Sequence, residues 1–169
     1  MENYQSNIND LYPIRREVDA DNSCLFSAVA YLIDRTNFNE KSSLYFRHII
    51  VNYLLEDKFD NTFLEQSKEQ YIDFIQNPKN WGGALEVKMF SEIFQIQIAC
   101  IDVKTNRIDI YGEDKKYPQR IYLFYNGIHY DPLVMNYNIT TDSCIDITIF
   151  DSNDMETFEL MKSLVFCRI

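Results

Sequence analysis

The chain has little of what builds a fibre, a linker or a membrane span. Glycine and proline number 4 each in 169 residues, which excludes collagen-like and linker-like chains. No apolar run approaches the ~18 residues that a membrane span requires. Met1-Glu2-Asn3-Tyr4 offers no basic start and no apolar stretch behind it, so no signal peptide is expected. Basic charge is also short: 16 Lys and Arg face 26 Asp and Glu, a net charge of −10. With no dense Lys/Arg cluster, nucleic acid is a poor default partner and a basic protein or peptide a better one. A Gly-rich phosphate loop and a dinucleotide fingerprint are both missing, so nothing points to a nucleotide.

Cysteine and histidine are few enough to take one by one. Cys24, Cys100, Cys144 and Cys167 have long, irregular spacings and no Cys-x-x-Cys pair, so no zinc site and no cofactor are expected. The chain is expected to be cytoplasmic, with the nucleus also open to it, and so without a disulfide framework. Cys100 and Cys144 lie in strand-like apolar runs and read as small buried hydrophobes. His48 falls inside a helical pattern and reads as structural or surface.

What is present is an ordinary globular composition, 46% apolar and 25% charged, in a chain long enough to bury a core without a staple. Residues 1–12 are polar and are expected to form a loose arm. Residues 13–150 are expected to form one domain, and 151–169 a C-terminal helix and tail. A short strand is expected at Ile14 to Val18, then a turn at 20–23. Leu25, Ala28, Val29 and Leu32 recur at helical spacing, with Asn22 or Ser23 as the cap. A second helix opens at Ser42 or Ser43 and faces inward through Phe46, Ile49, Ile50, Tyr53 and Leu54. One or two short helices fill 61–76 up to Asn77-Pro78, and Leu85, Met89 and Ile93 mark another. The period then becomes two: strands are expected at 96–102, 107–111 and 120–125. Asn126-Gly127 predicts a two-residue type I′ hairpin, with 128–131 returning antiparallel and Pro132 limiting how central that strand can be. Ile145, Ile147 and Ile149 suggest one more strand, and 154–166 a last helix. Helices first and strands later indicate an α+β fold.

Chemistry gathers at Cys24. It falls at a helix N-terminus, where free amides and the helix dipole favour a thiolate and can hold an oxyanion. The plain alternative is the first buried residue of an amphipathic helix. His129 is the better of the two histidines for a base, because a strand would hold it rigidly. Asp131, two residues on, would share its face and could orient it; alternatively Asp131-Pro132 merely ends the strand. Asp21, in the turn before Cys24, is the competing acid, or simply a turn residue. Trp81 beside Gly82-Gly83 can wall a narrow groove or anchor the core. Glu86 reads as a solvated acid.

Three segments taken in order carry a resemblance: Asp21-Asn22-Ser23-Cys24-Leu25-Phe26, Trp81-Gly82-Gly83-Ala84-Leu85-Glu86, and Asn126-Gly127-Ile128-His129-Tyr130-Asp131-Pro132-Leu133 behind the 121–125 strand. Over roughly 13–135 the chain resembles the OTU family of cysteine deubiquitinases, and within it the branch linked to endoplasmic-reticulum-associated degradation. The resemblance implies a papain-like domain, with a small mixed or antiparallel sheet packed between helices. It implies Cys24 as nucleophile, His129 as base, and Asp131 and Asp21 as the acids. Amides around Asp21, Asn22, Ser23 and Cys24 would form the oxyanion hole. Trp81, Gly82, Gly83, Glu86, Asn126, Gly127 and Ile128 would lie along the substrate. The implied substrate is ubiquitin, joined through its C-terminal glycine to a lysine, alone or in polyubiquitin chains. A silent ubiquitin-binding module and a thiol hydrolase for another modifier are the competing readings. That branch also carries an N-terminal ubiquitin-like domain that recruits a segregase AAA ATPase, and a C-terminal zinc finger. Neither is in this sequence, so such an ATPase partner is expected by family analogy alone.

Overall fold

The computed structural model describes residues 11–137 and 142–167. Its central strands are apolar on both faces because both faces are covered. β2 (Gln97–Asp102) and β4 (Gln119–Tyr125) run parallel in the middle of the sheet, Ile98 beside Ile121 and Cys100 beside Leu123. β3 (Arg107–Tyr111) pairs antiparallel with the other edge of β2. β5 (Tyr130–Asn136) pairs antiparallel with β4, and β1 (Tyr12–Arg15) closes that side. The order is β1-β5-β4-β2-β3, and β6 (Phe150–Asp151) pairs with the start of β4 where β5 no longer reaches.

Alternate residues of each strand then serve two cores. Ile98, Cys100, Ile121 and Leu123 pack with residues of α1 (Cys24–Ile33), α2 (Ser42–Leu55), α3 (Lys68–Gln76) and α4 (Ala84–Phe94). Ala99, Ile101, Tyr122, Phe124 and Leu133 face the other way, onto Met161 and Val165 of α5 (Met155–Phe166). This is the mixed sheet between helices that the resemblance implies. Burying one such side chain contributes about 1.5–3 kcal/mol, so covering both faces is what makes the strands stable.

Several local expectations are corrected. The first strand runs from Tyr12 to Arg15 rather than over 14–18, because the chain then leaves the sheet: the Val18 amide donates to Asp131 and the Arg16 side chain to Asp146. Tyr12 therefore belongs to the sheet, while 1–10 of the expected arm lie outside the described residues. The 145–149 strand does not form. A 3-10 turn at Ser143–Ile145 replaces it, and only Ile147 bridges to Met135. Asp146 explains this: its buried carboxylate accepts a fork from Arg16 at 2.8 and 2.7 Å and bonds from Tyr31 and Asn136, which fixes the segment by side chains instead of a ladder. With that strand gone, Cys144 is exposed rather than buried.

Pro132 does not push β5 to an edge. An antiparallel residue points its N–H and C=O to the same side. The Pro132 carbonyl accepts from the Arg16 amide at 3.0 Å, so its missing donor is lost on the β1 side, just past the Arg15–Leu133 pair. The ladder to β4 is untouched.

Candidate active site

Cys24 opens α1 with its side chain mostly buried, at 7% exposure. The loop before it is folded by its own polar groups. Asp21 accepts from the Ser23 amide at 2.8 Å through Oδ1, and its carbonyl receives the Cys24 amide at a long 3.4 Å. Ser23 is the residue preceding the helix, but its hydroxyl does not cap it. That oxygen accepts from Arg47 instead, from Nη2 at 2.9 Å and Nε at 3.2 Å.

Arg47 went unnoticed in the sequence, although a signal for it existed. It stands with Phe46, Ile50, Val51 and Leu54 on the buried face of α2, a charge where the helical period calls for an apolar residue. It is 1% exposed and stacks over Phe26. Beyond Ser23 it donates to the carbonyls of Asn22, Ile75 and Asn80 at 3.1, 2.9 and 2.8 Å. It thereby ties the cysteine loop to the turn that leads into Trp81. Trp81 is exposed, not a core anchor, and its indole N–H donates to Asn22 Oδ1 across that junction.

Gly82 and Gly83 differ in what they leave room for. A Cβ on Gly82 would meet Leu25 and Phe26 at 2.9 Å, so this glycine lets the segment lie against α1. A Cβ on Gly83 would meet nothing within 4 Å, so open space adjoins it. Glu86 is not solvated as expected. It is 4% exposed and its Oε2 accepts the Gly83 amide at 2.6 Å. Burial pushes its carboxyl up to about 7, against the pull of the amides and of Arg47.

On the other side, the predicted type I′ hairpin is instead a longer loop, with Tyr125 pairing Tyr130 at its base. Asn126 Oδ1 accepts the amides of Ile128 at 3.1 Å and His129 at 2.8 Å, so the asparagine folds the loop by its side chain rather than by a left-handed backbone. Gly127 alone takes a positive φ, 99°, and Ile128 is exposed at the tip. His129 thus sits in the loop, one residue before β5, rather than on a strand. Its Nε2 lies 2.9 Å from Asp131 Oδ1. Asp131 is fully buried, and also accepts from the Val18 amide at 2.9 Å and from Arg15 at 2.7 Å. Asp21 makes no bond to His129 among the described residues. His48 is exposed on α2, away from this constellation.

The thiol lies near the backbone between the two members of the His-Asp pair: the backbone amides of Tyr130 and Leu25 act on Cys24 to favour its thiolate. The expectation of a lowered thiol pKa is not met. Burial pushes the Cys24 thiol up, those amides offset it only in part, and the charges of Asp21 and Asp131 add to the rise. Among the described residues no group of three or more His, Cys, Asp or Glu could hold a metal ion, and no helix is long and apolar enough to cross a membrane.

A thiol at a helix start, an imidazole and a buried carboxylate in this arrangement are the equipment of a thiol hydrolase. The chain belongs to the family of OTU-like cysteine proteases, whose family model matches residues 19–141. It is 42% identical over 156 residues to ubiquitin thioesterase OTU1 of Dictyostelium discoideum, a match covering 91% of this chain and 47% of that protein. It is 36% identical to the Homo sapiens protein of the same name, over 88% of this chain and 43% of that one. The chain therefore spans less than half the length of these relatives. Its fold superposes on an OTU domain solved in complex with ubiquitin, with a TM-score of 0.75 at 28% identity, over 95% of this chain and 87% of that one.

Proposed function

We propose that this chain is a thiol-dependent deubiquitinase that hydrolyses the isopeptide bond between the C-terminal glycine of ubiquitin and a lysine. Cys24 is the nucleophile, His129 the base and Asp131 the acid that orients it. With Nε2 turned to Asp131, Nδ1 is the nitrogen left to take the thiol proton. Burial disfavours the resting thiolate, so the thiol proton passes to His129 as sulfur attacks. Sulfur adds to the glycine carbonyl, and the oxyanion is held by the amide of Cys24. The neighbouring Ser23 amide is already committed to Asp21, whereas the Cys24 amide makes only its long bond. The protonated imidazole passes its proton to the lysine amine, which leaves. Water, deprotonated by His129, then cleaves the thioester and frees the ubiquitin carboxylate and the thiol. Asp21 acts on the loop rather than on the base. The open space beside Gly83 suits the paired glycines that end ubiquitin, and the acidic chain suits its basic tail.

The observation that supports this reading most directly is the bond from His129 to a fully buried Asp131, with Cys24 close enough for Asp131 and the Tyr130 backbone to act on its thiol. A ubiquitin carrying a thiol-reactive electrophile at its C-terminus tests it. The expected adduct maps by mass to Cys24 and disappears in Cys24→Ala, which still binds ubiquitin. A folded protein that forms no adduct, or forms it on another cysteine, overturns the assignment.

A further inference from the structure

The carboxylate that orients His129 is itself held by a residue outside every motif segment. Asp131 Oδ2 accepts Nε of Arg15 at 2.7 Å, and Nη2 of the same guanidinium lies 2.7 Å from it as an ion pair. Oδ1 is shared between the Val18 amide and His129 Nε2, both at 2.9 Å. Three hydrogen bonds and an ion pair thus hold a carboxylate with no exposure to solvent. Arg15 reaches it by sheet register. It pairs with Leu133, two residues beyond Asp131 on the same face, so the two lie on a diagonal that a long side chain spans. Its guanidinium also lies 3.7 Å over the ring of Phe124, the residue that pairs with Asp131 from β4. Besides Arg15, the titratable groups around Asp131 are His129, in the loop just before β5, and Cys24, from α1.

Resting on the proposed hydrolase reading, we propose that Arg15 is a positioning residue for catalysis. Its planar fork neutralises the buried Asp131 carboxylate and fixes it, so that one oxygen stays aimed at Nε2 and Nδ1 stays turned toward Cys24. A fork matters here as much as a charge. A lysine supplies one point donor, whereas both guanidinium N–H groups meet the same oxygen and stack on Phe124.

Two measurements test this. In hydrolysis of ubiquitin bearing an aminocoumarin amide, Arg15→Met should lower kcat about 10- to 100-fold with KM little changed. That range is what losing an outer hydrogen-bond partner costs a metal-bound histidine. Arg15→Lys should recover part of the loss. In an Asp131→Ala background, Arg15→Met should cost nothing further, because the group it holds is gone. Equal losses in both backgrounds, or a rise in KM alone, would overturn the proposal. Nitrogen NMR of the imidazoles reads the same point without substrate. With His48 replaced by Gln, His129 is the only imidazole left. The wild-type ring should hold its proton on Nε2, and Arg15→Met should average the two tautomers. An unchanged ring in Arg15→Met likewise overturns it. Failure of the hydrolase reading is seen separately, as a wild-type protein that does not turn over the coumarin substrate.

Discussion

Replacing Glu86 by Gln asks whether the buried acid under the glycine segment costs the protein stability. The side chain is 4% exposed, and burial raises its carboxyl from an ordinary 4.5 to about 7. The sign follows from proton counting. Between those two values the folded chain holds a proton that the unfolded chain has released, so this residue's contribution falls as pH rises through that window. The window is about 2.5 pH units wide, and each unit is worth about 1.36 kcal/mol, which gives about 3 kcal/mol. Gln keeps the acceptor for the Gly83 amide, now 2.6 Å from Oε2, and carries no charge to desolvate. The variant should match the wild type near pH 4 and exceed it by up to about 3 kcal/mol near pH 8. Urea unfolding at both pH values measures this. With a slope of about 2 kcal/mol per molar, the midpoints should coincide at the acid end and separate by about 1.5 M at the other. Midpoints that differ by the same amount at both pH values would refute the reasoning, because only titration of this group can open the gap.

The two neighbouring glycines should behave differently when each becomes alanine. Gly82→Ala forces a methyl to within 2.9 Å of Leu25 and Phe26 and should cost about 1–3 kcal/mol in the same unfolding assay. Gly83→Ala meets open space and should leave stability unchanged, while raising KM for ubiquitin substrates; equal destabilisation of both variants would contradict this. Iodoacetamide at neutral pH, followed by peptide mapping, should label exposed Cys144 and Cys167 before Cys24, and Cys100 last, since burial, with the charge of Asp109, pushes its thiol far up. Preferential labelling of Cys24 would mean that an ion pair with His129 outweighs the burial.

Period and local chemistry made much of the molecule legible in advance. The strands at 97–102 and 119–125 show as runs with apolar residues on both faces, and the helices at 24–33 and 84–94 show by spacing. The losses occur where a side chain replaces a backbone device. Asn126-Gly127 marks a turn correctly, but Asn126 spends its carboxamide on the amides of Ile128 and His129, and the turn lengthens. Ile145, Ile147 and Ile149 alternate as a strand should, yet Asp146 between them is bound by Arg16 from 130 residues away. No window of local sequence contains that partner.

Arg15 and Arg47 share that property, and it bears on how the site is built. Each motif segment carries groups that act on neighbours in the chain: Asp21 on Ser23, Glu86 on Gly83, Asn126 on His129. Such bonds shape a loop but cannot bring two loops together. Besides the Trp81–Asn22 bond, the side chains that tie these segments in place are arginines on other elements. Arg47 on α2 joins the cysteine loop to the turn before Trp81, and Arg15 on β1 seats the acid of the histidine loop. Guanidinium suits this task, since it offers several donors in one plane and no acceptor that must itself be satisfied. Both arginines also lie over phenylalanine rings, Phe26 of α1 and Phe124 of β4. The loops are therefore shaped by local sequence, whereas their placement also draws on two cations that a motif does not contain. Substituting either arginine should disturb the relation between the loops more than the loops themselves.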